Sequence, residues 1–403
     1  MRGKDLYEKI TDIDDDIILD AGNASKSRKP IYIKWIAAAA CFAIIISVVS
    51  LFNGNRVITD PSLPMLTVNT EFSGGMGYEG YMAHDIMDLT NENPWNEDIK
   101  LTRLPVIKNK LTYNEMQKVE SPDYILMEKL LKETAQSLGM DVDRTPITND
   151  VPDEETQRII TEKYTMVGDE IPKGSFDFSR LFIEDENYKV EVDTNYTVKV
   201  GFKLPVRLPS EYNFTHYATY EETYKVAEYL KEEYAEFIRM KNPVINISGG
   251  DFNIYAEQSY SISFYEESND NVQSILNYHF NTVKFYCDDD GALFLTRKYY
   301  TDLSEVVGEY PIIDTKEALT LLENGNYITT VPQEFEGAGY VKKVELVYRT
   351  STNEKLFMPY YRFYVELPDM KHKNGLNDYG AYYVPAVEGQ YIENMPVWDG
   401  SFN

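Results

Sequence analysis

The chain has 403 residues, of which 66 are acidic and 39 basic, giving a formal net charge of −27. A surface this acidic repels nucleic acid and anionic lipid headgroups, which argues against both as partners. With 43% hydrophobic residues and 33 tyrosines the chain can bury a core, so intrinsic disorder is not expected. Its two cysteines, Cys41 and Cys287, cannot form a disulfide framework.

The N-terminal tail, residues 1–30, has an amphipathic pattern. Four large apolar residues recur at spacings of four, three and four, which places them on one stripe of a helix: Leu6, Ile10, Ile13 and Ile17. Because an isolated helix of this length is marginal in water, we expect the stripe to dock on a cytoplasmic protein. The alternative is a tail that only solubilises the chain.

Residues 31–52 form the one long apolar run and predict a transmembrane helix, since about 20 such residues cross a bilayer. Four basic residues, Lys26, Arg28, Lys29 and Lys34, precede the central part of this run, so the positive-inside rule predicts a cytoplasmic N-terminus and an extracytoplasmic C-terminal part. The predicted localisation is the cell membrane, with a single pass. A cleavable signal peptide is the alternative.

The tail from Lys4 to Ala21, followed by a basic stretch and one apolar segment, resembles the N-termini of membrane-anchored regulators of clostridia and related Gram-positive bacteria. Several of these are similar to anti-sigma factors. The resemblance implies that Leu6, Ile10, Ile13 and Ile17 contact a sigma factor until an external event releases it.

Residues 53–110 are rich in Gly, Pro and Asn and predict an extended lead-in. Next, Ser121-Pro122 predicts the start of a helix that Gly139 ends, with strands at 158–167 and 188–202. A capping box at Thr219 and Glu222 opens a second helix that extends to about residue 240. Strands at 260–265 and 282–287 and a hairpin to 292–299 follow.

Helix followed by antiparallel strands thus occurs twice. This repetition predicts an α+β fold of two similar helix-plus-antiparallel-sheet modules, 111–215 and 216–403, after the transmembrane helix.

A third helix is predicted between Asp314 and Gly325, and strands at 340–349, 357–367 and 381–392. The segments around Lys316-Glu-Ala-Leu, Val344-Glu-Leu-Val-Tyr, Met358-Pro-Tyr-Tyr-Arg-Phe and Tyr383-Val-Pro-Ala resemble the C-terminal module of YycH and YycI. Those proteins are single-pass regulators of a cell-wall sensor kinase. The resemblance implies an external regulatory or sensing domain without catalytic residues.

Motifs for catalysis, cofactor binding and metal binding are not evident in the sequence. The four histidines stand apart, and the run Asp288 to Asp290 lacks the spacing of a calcium loop, so we predict no metal site and no cofactor. Cys287 is predicted to be a buried strand residue. Tyrosine-rich strands could bind a glycan by stacking or simply belong to the core.

Together these patterns predict a non-enzymatic, single-pass membrane regulatory protein with an extracytoplasmic sensing domain. Its cytoplasmic tail would bind a sigma factor or another partner, in the manner of an anti-sigma factor. The alternative function is a cell-wall-associated binding module with an inert tail. The external ligand is not identified by the sequence.

Overall fold

Antiparallel sheets make up most of the regular structure in the computed structural model. The structure describes residues 63–70, 80–111, 119, 121–171, 174–351, 353–370 and 374–402. In chain order the strands are β1 (Gly80–Ala83), β2 (Arg103–Lys108), β3 (Thr148–Asn149), β4 (Arg180–Glu184), β5 (Tyr188–Asp193), β6 (Val198–Arg207), β7 (Pro243–Phe252), β8 (Gln258–Glu266), β9 (Thr282–Cys287), β10 (Ala292–Lys298), β11 (Val306–Pro311), β12 (Ile328–Thr329), β13 (Val341–Tyr348), β14 (Leu356–Phe357), β15 (Pro359–Leu367) and β16 (Asn377–Pro385). The α-helices are α1 (Tyr124–Ser137), α2 (Glu154–Val167), α3 (Tyr220–Glu233), α4 (Ala235–Ile238), α5 (Asn271–Phe280) and α6 (Thr315–Glu323).

The largest sheet has eight strands in the order β3-β4-β5-β6-β10-β9-β8-β7. Valines alternate along β5 and β6, so that Val190, Val192, Val198 and Val200 point into the core. Helices α1 and α3 pack on this sheet, with Met127 and Leu131 of α1 fully buried. This arrangement forms the first hydrophobic core.

A five-stranded sheet contains β1, β16, β15 and β13 in that order, with β12 also paired to β16. A three-stranded sheet has the order β11-β2-β14. Helix α6 packs on β16, and α5 contributes Ile275 and Phe280 to a second core that also contains Tyr361 and Tyr382 of the five-stranded sheet. Because α5 also contacts β8 and β9, it links the second core to the eight-stranded sheet.

Local capping signals predicted several helices correctly. The α3 capping box at Thr219 and Glu222 is present, and Asp314 caps α6 by accepting a hydrogen bond from the Glu317 amide. Helix α1 is confirmed too, although Asp123 caps it rather than Ser121. The hairpin of β9 and β10 is also confirmed, with Gly291 in the left-handed region at φ 74°.

The predicted strand at 158–167 is wrong, because these residues belong to helix α2. Asp153 caps that helix through the Thr156 amide, and Arg158 pairs with Glu155 at 2.6 Å and with Glu162 at 3.1 Å. These capping and i,i+3 or i,i+4 contacts outweigh the strand preference of the β-branched residues in the segment. The predicted strand at 188–202 is instead the hairpin of β5 and β6.

The predicted fold class is corrected. Strand β6, from the first predicted module, pairs with β10 from the second at residues 198–201 and 206–207, so one sheet runs across both. Strands β1 and β2, from the predicted lead-in, pair with β16 and β11. Most of the regular structure in the described part is therefore antiparallel sheet, accompanied by six α-helices, and it does not form two similar modules.

The predicted transmembrane helix, single-pass topology and cell-membrane localisation are also corrected. None of the helices that the structure describes is long and apolar enough to cross a membrane. The longest have 14 residues, which spans about 21 Å, and a bilayer core is about 30 Å thick. Residues 31–52, on which the prediction rested, lie outside the described residues.

Candidate ligand-binding cleft

A cleft of about 340 Å³ lies where elements of all three sheets meet. We call it the central cleft. Its lining combines hydroxyl, amide and aromatic groups with two lysines and one carboxylate: Asn109, Lys110, Leu111, Asn195, Tyr196, Thr197, His279, Phe280, Thr282, Lys284, Tyr299, Tyr300, Thr301, Asp302, Thr350, Ser351 and Phe357.

Two buried acceptor atoms of the lining have no hydrogen-bond partner among the described residues. They are Nε2 of His279, at the end of α5, and Oδ1 of Asn195, in the turn between β5 and β6. A buried polar atom without a partner is costly, by about 1–3 kcal/mol. Such atoms beside a cleft indicate where a bound donor group would be stabilised.

The turn that holds Asn195 is fixed by the Asp193 carboxylate, which accepts hydrogen bonds from the backbone amides of Asn195 and Thr197, each at 3.0 Å. Tyr196 takes a left-handed conformation at φ 62°, and its hydroxyl accepts a hydrogen bond from the Asp123 amide at 3.1 Å. This backbone conformation is rare for a residue with a large side chain. The surrounding hydrogen bonds therefore hold the turn in the shape that brings Asn195 to the cleft.

His279 is held as a neutral ring. Burial and the positive charge of Arg362 lower its pKa to about 3, although the Glu345 carboxylate and a hydrogen bond to the Leu346 carbonyl oppose this shift. Because Nε2 has no partner, we assign the ring proton to Nδ1, which donates to Leu346. Nε2 then carries a lone pair that has no donor among the described residues.

The charged groups of the cleft are arranged around Asp302. Lys110 Nζ lies 2.6 Å from its carboxylate and 3.3 Å from the Ser304 hydroxyl. Burial would raise the pKa of Asp302, but hydrogen bonds from Lys110 and Ser304 lower it overall. The bond to Asp302 raises the pKa of Lys110. The pair is thus charged at neutral pH and provides both donor and acceptor atoms.

The aromatic side of the cleft is built on Tyr299. Lys284 Nζ lies 5.4 Å from the centre of its ring. Burial would raise the pKa of the Tyr299 phenol, but hydrogen bonds from Tyr286 and Arg297 and the charge of Lys284 lower it overall. Tyr300, the next residue, is partly exposed, and burial raises the pKa of its phenol. The cleft thus presents two tyrosine side chains with different hydrogen-bonding character.

The lining suits binding better than bond cleavage. Asp302 is the one carboxylate among the described lining residues, so the cleft lacks the carboxylate pair that glycosidases need. A histidine with a pKa of about 3 is a poor general base near neutral pH. What the cleft offers is a set of fixed hydrogen-bonding groups and aromatic surface.

A cysteine, a histidine and an aspartate approach each other at a different place. Cys287 Sγ lies 3.7 Å from His216 Nδ1, and His216 Nε2 lies 3.8 Å from the Asp289 carboxylate. Burial, together with the charges of Asp288 and Asp289, raises the pKa of the Cys287 thiol. A catalytic thiol needs the opposite shift. The prediction that Cys287 is a buried strand residue is confirmed, at 7% exposure.

No group of three or more histidine, cysteine, aspartate or glutamate residues able to hold a metal ion is found in the described part of the chain. Sequence reasoning missed the cleft itself. The available signal was the polar and aromatic run Tyr299-Tyr-Thr-Asp302, which begins at the last residue of the predicted strand 292–299, since loop residues next to a strand often carry function.

No model of a known protein family matches this chain, and no curated protein matches it either. The predicted sigma-contacting residues lie outside the described residues: Leu6, Ile10, Ile13 and Ile17. Neither the described structure nor these comparisons support an anti-sigma-factor or signal-transduction role, and that prediction is corrected together with the membrane topology it required.

Proposed function

We propose that this protein is a non-catalytic binding module whose central cleft holds a hydroxyl-rich small molecule such as a sugar. The observation that carries the proposal is the pair of buried, unpartnered acceptors, His279 Nε2 and Asn195 Oδ1, in a cleft lined by tyrosines. Both atoms accept hydrogen bonds, so the matching ligand donates them. Sugar hydroxyl groups are such donors.

The size and composition of the cleft support the same class of ligand. Its volume of about 340 Å³ falls at the lower end of the range of small-molecule pockets, about 300–1,000 Å³. Tyr299 and Tyr300 line the cleft, and aromatic rings can pack against the apolar C–H surface of a sugar ring. The Lys110 and Asp302 pair can donate to and accept from further hydroxyl groups.

Calorimetric titration of the full chain with neutral sugars tests the proposal. The probes are glucose, N-acetylglucosamine and their β-1,4-linked dimers. His279→Phe keeps an aromatic ring but removes the Nε2 acceptor, and Asn195→Leu removes the Oδ1 acceptor. Each change is expected to weaken binding about fivefold or more, because the hydroxyl group of the bound ligand then loses its acceptor, at a cost of about 1–3 kcal/mol.

His84→Phe is the matched control, because the His84 side chain is exposed and packs against Phe252 away from the cleft. It should leave binding unchanged. Absence of binding of all four probes at millimolar concentration, or equal binding by the wild type and the His279→Phe variant, would contradict the proposal. If the wild type releases monosaccharide from the dimers and the His279→Phe variant does not, the protein is an enzyme instead.

A further inference from the structure

A second, smaller cavity lies between α1, the end of α4 and the sheet strands β6 and β10. We call it the notch. Its volume of about 60 Å³ is far smaller than the 340 Å³ of the central cleft, so it suits a small charged group better than a sugar ring. Two cations, Lys298 and Arg239, line it, and Tyr300 lines both the notch and the central cleft.

Neither cation has an acidic partner within ion-pair distance in the described part of the chain. The Arg239 side chain makes one hydrogen bond, from Nε to the Glu236 carbonyl oxygen at 3.2 Å, and no hydrogen bond or ion pair involves Lys298 Nζ there. The apolar side chains of Leu130 and Phe237 also line the notch, and a lysine stem can lie along such apolar surface. In a chain with 66 acidic and 39 basic residues, two neighbouring cations that form no ion pair are unexpected.

We propose that the notch binds the carboxylate or phosphoryl group of a ligand, with Lys298 and Arg239 as its cationic contacts. The hydroxyl groups of Thr134 and Tyr300 also line the notch and are donors for such a group. Ser137 is less suitable, since its hydroxyl already donates to the Thr134 carbonyl oxygen at 2.7 Å. The site is separate from the proposed function of the cleft, because neither cation lines the cleft.

Two further observations agree with an anion site. Burial and the charge of Arg239 lower the pKa of the Lys298 ammonium group, and a bound anion would reverse that shift. Arg239 also occupies a left-handed conformation at φ 53°, where glycine or asparagine is favoured. An arginine at this position costs backbone strain, which a role in binding would explain.

Glu133 is the competing explanation, because this exposed carboxylate also lines the notch and its charge acts on Lys298. If Glu133 were the counter-charge, removing it would only leave the cations unpaired. If the notch binds an anion, Glu133→Gln should strengthen binding, since it removes a repulsive and competing carboxylate.

The test is calorimetric titration of the full chain with inorganic phosphate and, separately, with acetate, at constant ionic strength. The wild type should bind at least one of the two probes, and the stronger one identifies the preferred group. Lys298→Met and Arg239→Gly should each weaken that binding tenfold or more, whereas Glu133→Gln should tighten it severalfold. Lys316→Gln, which removes an exposed charge on α6, is the control and should change nothing.

The Arg239→Gly variant guards against loss of binding by unfolding, because glycine suits the left-handed backbone and the variant should unfold at the wild-type temperature or higher. The proposal is overturned if neither probe binds the wild type or the Glu133→Gln variant. Equal binding by the wild type, Lys298→Met and Arg239→Gly variants would overturn it as well. Failure of the sugar titration leaves this result unaffected, since the probes carry no sugar.

Discussion

Replacing Glu345 by glutamine should destabilise the protein by about 3–5 kcal/mol, because it leaves buried charges uncompensated. The Glu345 side chain is 4% exposed, pairs with Lys343 at 2.8 Å and with the largely buried Arg362, and accepts a hydrogen bond from Asn91 at 2.8 Å. Burial would raise its pKa, but the charges of Arg362 and Lys343 bring it down from 4.5 to about 2. At about 1.4 kcal/mol per pKa unit, this lowering of the Glu345 pKa corresponds to about 3–4 kcal/mol, which lies within the expected loss of about 3–5 kcal/mol.

Urea-induced unfolding of the wild type and the Glu345→Gln variant measures this difference. Because the folded-state pKa of Glu345 is lowered, its contribution to the free energy of unfolding is complete above about pH 4.5 and is lost as the pH falls towards 2. The difference in unfolding free energy between the wild type and the variant should therefore be complete at pH 7 and decrease steadily below pH 4.5. Glu366→Gln, which breaks a more exposed pair with Lys342, should cost about 1 kcal/mol or less. A Glu345→Gln cost below 1 kcal/mol at pH 7, or a gap that does not change with pH, would refute the reasoning.

Two further predictions concern backbone fit and thiol reactivity. Gly250→Ala should destabilise the protein by about 3 kcal/mol or more, because the added Cβ would stand 1.9 Å from the Asp88 carbonyl oxygen at a φ of 95°. Gly139→Ala has a similar φ of 79° with nothing within 4 Å, so it isolates the cost of backbone strain, about 1 kcal/mol; equal melting temperatures for the two variants would contradict the clash. Cys287 should react with iodoacetamide at pH 7.5 at least about tenfold more slowly in the native than in the urea-unfolded protein, because burial raises its pKa and blocks access. Equal rates would show an accessible thiol.

The elements that sequence reasoning predicted correctly are those whose signals are local. Thr219 and Glu222 are three residues apart and meet whenever the helix forms, and the same is true of Asp314 and Glu317. Helix α5 was not predicted, although Asp270 caps it through the Val272 amide. Its sequence is rich in residues with weak helix preference, so tertiary packing decides its conformation.

Sheet pairing and the cleft could not be predicted, because both depend on contacts distant in sequence. Gly80 pairs with Gly380, and no local pattern connects two positions 300 residues apart. The same applies to the cleft, in which Asn195 and His279 approach from different elements. The turn holding Asn195 depends on the Asp193 carboxylate, but its place beside α5 depends on the sheet order.

The surroundings of His279 connect the buried charges to the proposed function. In hydrolases with a catalytic histidine, a carboxylate accepts the Nδ1 proton and stabilises the protonated ring. Here the ring donates to the uncharged carbonyl of Leu346, and the charge of Arg362 opposes protonation more strongly than that of Glu345 favours it. This arrangement keeps Nε2 as an acceptor over the whole physiological pH range. A fixed acceptor serves ligand recognition, whereas a proton-transferring base requires the opposite electrostatics.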